Sequence, residues 1–431
     1  MRILLFQSVI PRVHTDSVTY FELSNLDPVR TPGYPLFLEI IQFFNDLFTI
    51  TPHYLRFIVF VQVFFLGLIN TYLVYALAKF LTRSEIFSLA MGVIFNLDFY
   101  VLGFDFLLLT ETLSLTFLGL TLIFYMKIFE PNKGAPYWAG FFAVCLLLTR
   151  PSFAGLFVIL IGLSWLVHAR PPGGHGFIRK FGPAMAVFLL FNLAGIGGWS
   201  VRNMIRHGYF GISTILPYQL GYFTQHFYRK YKTGHDAEMD RYAAILAEEK
   251  GQPFEFRRRL AEDMNMTEAQ ISKVFLRLNL KMIKDNFADY LRLIPKAASS
   301  YYRYNWDWTA PQNKRIFRRN PLTARLFRFF FRLYAGIFKN AFALVALVLV
   351  IPAGLLITTR KKKPLFHQLC LVEGTIHYNF LICVLLTPGG INNMRYRAPV
   401  EPLILLVFYA ALFLFSRFLF RAARKKPSFR P

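Results

Sequence analysis

Cysteine is nearly missing from this sequence: Cys145, Cys370 and Cys383 are the only three, each inside an apolar run and none in the long polar region near residues 200–335. That distribution gives no basis for a disulfide framework or a thiolate zinc site. Acidic side chains are also few, 24 against 49 lysines and arginines, for a net charge of +25. In a soluble chain such an excess would suggest nucleic acid. Here much of it sits in short segments flanking apolar runs, the pattern expected from membrane topology and anionic headgroups. There is no glycine-rich loop of the kind that cradles a nucleotide's phosphates. No internal repeat is visible either, which speaks against the repeat architecture common among transporters.

What the chain does have is apolar surface, 55% hydrophobic and 18% aromatic over 431 residues, more than a soluble fold of this length can hide. A spanning helix needs about 20 apolar residues. Candidate spans lie near 54–80, 85–103, 106–127, 137–149, 152–168, 182–199, 336–358, 365–386 and 400–420. The residues before Asp16 are too few to cross, so a first helix is expected to be truncated there. The run 34–50 is apolar but carries Glu39, Gln42, Asn45 and Asp46, and it reads as a helix lying along the interface.

If every run crosses once, Lys79, Arg83, Lys127, Lys133, Arg170, Arg179, Lys180, residues 360–363 and Arg421–Lys426 share one side, predicted to be cytoplasmic. The Asp16 loop, the Asp98–Asp105 turn, Arg150-Pro151, the region after Trp199 and the loop 388–399 then face the other compartment. The fold class expected is an all-α integral membrane protein. It is a multi-pass helical bundle with interfacial helices in the first non-cytoplasmic loop and a helical non-cytoplasmic cap. Its parts are 1–199, the cap 200–335, and 336–431 with a basic cytoplasmic tail. In the cap, Thr267-Glu268-Ala269-Gln270 has capping-box spacing, followed by Ile271, Val274, Phe275, Leu278 and Met282 at helical intervals. The aromatic run 301–308 reads either as an interfacial belt or as a platform for a sugar or prenyl chain.

The first loop carries the chemistry. Asp16 precedes a segment, 17–26, that can be helical, and Pro32-Gly33-Tyr34-Pro35 forces an irregular turn before the next apolar helix. Asp16 can act as a helix cap or as a reactive carboxylate. Asp16-Ser17-x-x-Tyr20 with Arg30-Thr31-Pro32-Gly33-Tyr34-Pro35-Leu36, then Leu109-Thr110-Glu111-Thr112-Leu113, Leu148-Thr149-Arg150-Pro151, Trp199-x-x-Arg202-Asn203 and Arg395-Tyr396-Arg397-Ala398-Pro399-x-Glu401-Pro402 follow in order along the chain. The set resembles the signature segments of membrane glycosyltransferases that use polyprenyl-phosphate sugars. That family includes the protein O-mannosyltransferases and the aminoarabinose transferases of lipid A.

The resemblance implies that Asp16 is the general base on an acceptor hydroxyl, which attacks the anomeric carbon with inversion as the lipid phosphate leaves. Arginines would neutralise the departing phosphate. Arg30, Arg150, Arg202, Arg395 and Arg397 are the candidates, with Tyr20, Tyr34 and Glu111 beside the donor. Asp98 and Asp105 are alternatives for a second acid, and Glu111 suits either a structural ion pair or the site itself. His14, Asp16 and Glu111 have donor atoms that a divalent metal takes, without the count that defines a site, and the mechanism requires no cofactor. The implied partners are a polyprenyl-phosphate-sugar donor, a lipid, glycan or protein acceptor and membrane lipids, with no nucleic acid. The expected location is a bacterial inner membrane, with the site on the periplasmic or extracellular side. A flippase for lipid-linked sugars and a non-catalytic envelope scaffold are the competing classes.

Overall fold

The computed structural model describes residues 20–21, 29–168, 175–234, 236–302, 354, 359, 363–386 and 396–424. His14, Asp16, Arg395, the expected span 336–358 and residues 303–308 of the aromatic run lie outside them. Among the described residues every regular element is a helix.

Helix α1, Gly33–Phe48, starts where the Pro-rich turn ends. It buries Tyr34, Pro35, Leu38, Ile41 and Asn45 and leaves Leu36, Ile40, Phe43, Phe44, Leu47 and Phe48 exposed. Asn45 is satisfied within the protein, its amide bonded in both directions to the backbone of Thr51. Helix α2, Tyr54–Thr82, runs 29 residues through a π-helical segment, Val61–Leu66. That wider turn contains Gln62, which is fully buried.

The expected span 85–103 is broken. Helix α3, Glu85–Asn96, stops, and the short α4, Phe99–Asp105, restarts the chain. The cause is Asp98, whose side chain accepts from the backbone N–H groups of Tyr100 and Val101 and so caps α4. The next span starts late as well. Helix α5 is Glu111–Lys127, because the apolar residues 107–109 are held in a turn. There Gln62 Nε2 donates to the carbonyls of Asp105 at 3.1 Å and Leu107 at 2.9 Å. Apolar runs cannot reveal such a break when the polar partner comes from another helix.

Helix α6, Ala135–Thr149, ends at Arg150, which is extended as a residue before proline tends to be. A 3₁₀ turn, Pro151–Phe153, leads into α7, Leu156–His168, and α8 follows at His175–His207. Late in the chain come α14, Lys363–Leu386, and α15, Glu401–Arg424. Among the described residues four stretches are long and apolar enough to cross a membrane: Tyr54–Thr82, Pro151–His168, Ile178–His207 and Pro364–Leu386. Outward faces carry Phe65, Leu68, Ile69 and Tyr72 on α2 and Ile86, Leu89 and Val93 on α3. Such faces suit hydrocarbon and not water. The chain is an all-α, multi-pass membrane protein.

Between α8 and α14 a set of mostly polar-faced helices has a core of its own. Helices α9 (Ile215–Thr224), α10 (Ala237–Glu248), α11 (Pro253–Met264) and α12 (Glu268–Asp285) enclose Tyr218, Met239, Leu246, Phe256, Leu260, Ile271, Phe275, Leu278 and Met282. Helix α13, Phe287–Tyr302, connects this core to the bundle. The capping box at Thr267 forms in full, with both reciprocal bonds to Gln270.

Candidate functional site

Glu111 occupies the first turn of α5, where the helix dipole favours a carboxylate, and it is only 2% exposed. Its Oε1 lies 3.8 Å from Nη2 of Arg150, which is 6% exposed. The backbone around Arg150 is tightly held. Tyr378 of α14 donates to the Ser152 carbonyl at 2.7 Å and accepts from the Gly155 N–H at 2.9 Å. On the other side, Gly33 at the start of α1 sits so close to α6 that a Cβ there would lie 2.7 Å from the carbonyl of Leu148. The backbone that carries Arg150, just past the end of α6, is thus held between α1 and α14.

The Arg150 guanidinium carbon lies 5.4 Å over the ring of Tyr396, whose hydroxyl accepts from Gln219 of α9 at 3.0 Å. Arg397, next in the chain, is closed to solvent. Its Nε is 2.5 Å from Oε2 of Glu401, its Nη1 donates to the Tyr301 carbonyl at 3.1 Å, and it lies 4.9 Å over the ring of Tyr100. Tyr301 is held in turn by its hydroxyl, which donates to Asn379 of α14 at 2.6 Å.

Asp98 completes the group. One carboxylate oxygen caps α4, while Oδ2 is buried without a hydrogen-bond partner among the described residues. Burial first and the Glu401 charge second push its carboxyl above the usual range, against the pull of the Tyr100 and Val101 N–H groups and of Arg397. Three carboxylates (Asp98, Glu111, Glu401) and two guanidiniums (Arg150, Arg397) therefore share one end of the bundle, all nearly or fully buried. Charges so placed are tolerated only with close partners.

The remaining candidates surround that group without joining its ion pairs, Tyr34 lying within electrostatic reach of Glu111. Tyr34 is buried under the bundle and donates to Gln62 Oε1 at 2.7 Å, which ties α1 to α2. Tyr20 meets its ring edge-on, at 5.1 Å between centroids, and Arg30 caps Tyr20, with Nη1 3.3 Å from its hydroxyl. Asp105 accepts from Thr112 at 2.7 Å and steadies the turn before α5. Arg202 lies 4.6 Å over Trp199 and donates to Asn203, near the end of α8. Asn203 bonds the carbonyls of Gly211 and Ile212, and Ser213 donates to the carbonyl of Val29, so the Arg202 segment and the Arg30 segment meet at the foot of the cap. Among the described residues no three His, Cys, Asp or Glu side chains converge as a metal site.

Sequence reasoning read Tyr301 only as part of the aromatic run, and it did not single out Glu401, Tyr100, Asn379 or Gln219 as site residues. Glu401 was legible, since it stands four residues after Arg397 at the start of an apolar run, the spacing of a helical ion pair. The others carry no local signal.

No family model matches the sequence, and no curated protein does. A search of solved structures finds an archaeal oligosaccharyltransferase, AglB from Archaeoglobus fulgidus, in complex with an inhibitory peptide and a dolichol-phosphate. The identity is 11% and the TM-score 0.47, and the match covers 100% of this chain and 51% of that one. This chain thus spans about half the length of that enzyme, and a likeness so remote says nothing of its substrates.

Proposed function

We propose that the chain is a membrane glycosyltransferase that moves a sugar from a polyprenyl-phosphate carrier to an acceptor at the non-cytoplasmic face. The observation that carries this reading is the buried set of Arg150, Arg397, Glu111, Glu401 and Asp98 at one end of the bundle. Within that set Arg150 is the guanidinium that can take up charge on a leaving phosphate at the membrane edge, because a buried guanidinium acts in a medium that screens it little.

In this reading an acceptor oxygen forms a bond to the anomeric carbon as the bond from that carbon to the phosphate oxygen breaks. Asp16 takes the acceptor's proton, and the electron pair leaves with the lipid phosphate, inverting the centre. Arg395 and Arg150 are the arginines proposed to meet the phosphate. Arg397 has its guanidinium closed against Glu401, Tyr301 and Tyr100, and its part is to hold the turn that follows Arg395. Arg30, Tyr20 and Arg202 would approach the donor from the foot of the cap. The acceptor is a lipid, glycan or protein, and the reading requires no metal.

The test uses full-length protein in nanodiscs with a labelled polyprenyl-phosphate sugar and membrane extract as acceptor source. Asp16→Asn should lower transfer by roughly 100-fold or more while donor binding persists. Transfer at the wild-type rate would remove Asp16 as base. Translocation of the donor without any transfer would replace the enzyme by a flippase.

A further inference from the structure

The two buried guanidiniums of the site are not equivalent. Arg397 is fully closed to solvent, with a carboxylate 2.5 Å from Nε, a carbonyl 3.1 Å from Nη1 and an aromatic face beneath it, so no ligand reaches it, whereas Arg150 keeps 6% exposure. Arg150 has its carboxylate at 3.8 Å, beyond hydrogen-bond reach, and its Nη1 is buried with no hydrogen-bond partner among the described residues. An orphaned donor of a charged group in a dry site is costly, and an incoming anion with several acceptor oxygens removes the cost. We infer that Arg150 is the side chain that takes the donor's phosphate, and that the cap positions it through Gln219 and Tyr396. This rests on the lipid-phosphate donor proposed above.

The second half follows from what fixes Arg150. Its backbone is pinned by Pro151 and by the clamp of Tyr378 on residues 152–155, which leaves the side chain to choose where the guanidinium lies. The face it rests on is Tyr396, 5.4 Å away. Tyr396 is tied by its hydroxyl to Gln219 of α9, and α9 belongs to the core of the cap through Tyr218. A shift of the cap therefore moves the ring beneath Arg150. Tyr396 and Gln219 are positioning residues: neither needs to touch the donor.

The experiment measures binding of three probes to full-length protein in nanodiscs: a polyprenyl phosphate, the corresponding polyprenol and inorganic phosphate. Wild type should prefer the phosphate lipid over the alcohol. Arg150→Gln and Arg150→Lys should lose about tenfold or more of that affinity, since lysine keeps the charge but not the planar fork. Tyr396→Phe and Gln219→Leu should each weaken binding by about threefold, and the double variant no further than either single one, with unfolding temperatures unchanged. If folded Arg150→Gln keeps the wild-type preference, the inference fails while the donor reading stands. If wild type shows no preference for the phosphate lipid, both fail. Additive losses from Tyr396→Phe and Gln219→Leu would cut the link to the cap, and inorganic phosphate competing as well as the lipid would overturn the lipid-linked source.

Discussion

The two ends of the helical bundle handle charge in opposite ways. At the Arg397 end, five ionisable side chains are drawn inside and set against one another. At the other end charge stays at the rim. Lys79 pairs with Glu85 in the open, Lys127 lies 5.4 Å over Phe124 and Lys180 lies 5.1 Å over Phe181. The interior there is filled by Phe129, His168, Phe181 and His367 in ring contact, with Ser164 3.0 Å from His367 Nε2. A rim charge keeps its water and can be lost at little cost. A buried charge has given up its hydration, so its partner becomes a liability once it is removed. The same bundle thus has a site end and a scaffold end.

The contrast is open to direct attack, and the largest effect is expected at Arg397. Arg397→Ala leaves Glu401 buried without its closest cation and should destabilise the protein by about 3–5 kcal/mol. Thermal unfolding of the variant in detergent close to that of wild type would mean that the site end tolerates charge as the rim does.

Gly33→Ala comes next. Its Cβ would meet backbone atoms of residues 148 and 149 at 2.7 Å, which no rotamer change can relieve, so α1 must lift from α6. A loss of about 1–3 kcal/mol is expected, with donor binding impaired because Arg150 is the next residue. Normal unfolding and binding in this variant would show that α1 does not brace the site.

A smaller, pH-dependent effect attaches to Asp98. Its folded carboxyl gives up the proton at higher pH than the unfolded one does. The stability it lends is therefore full below the unfolded carboxylate range and is lost as pH rises through the folded value. Asp98→Asn keeps the cap and should flatten that fall, most visibly on the alkaline side, in unfolding curves recorded across pH. A steeper fall would show that ionised Asp98 is needed to balance Arg397. Smallest of all is Lys79→Ala at the opposite rim, where no measurable change in unfolding temperature is expected, and a clear drop would break the comparison.

Helix order and membrane class were legible from sequence because burial in lipid needs only apolar length, which is a local property. The capping box at Thr267 was legible for the same reason, since both partners lie within one turn. A turn between Asp98 and Asp105 was read from sequence, but the short helix α4 within it and the late start at Glu111 were not, because the competing bonds come from the Asp98 side chain and from Gln62 in α2. At the site, the sequence supplied Glu111, Arg150, Arg397 and Asp98 as chemistry without pairing them.

By itself, then, the sequence determined that this chain lies in a membrane as a helical bundle, and that its polar motifs fall at the ends of apolar runs. Only the tertiary structure decided which arginine is closed against Glu401 and which has its carboxylate as far as 3.8 Å, and that a glutamine of the cap bonds the tyrosine beside it. The physical reason is range. Hydropathy and capping act between neighbours in the chain, whereas the pairing of buried charges is set by residues such as Arg397 and Tyr301, or Tyr396 and Gln219, which are far apart in sequence and meet only once the helices have packed.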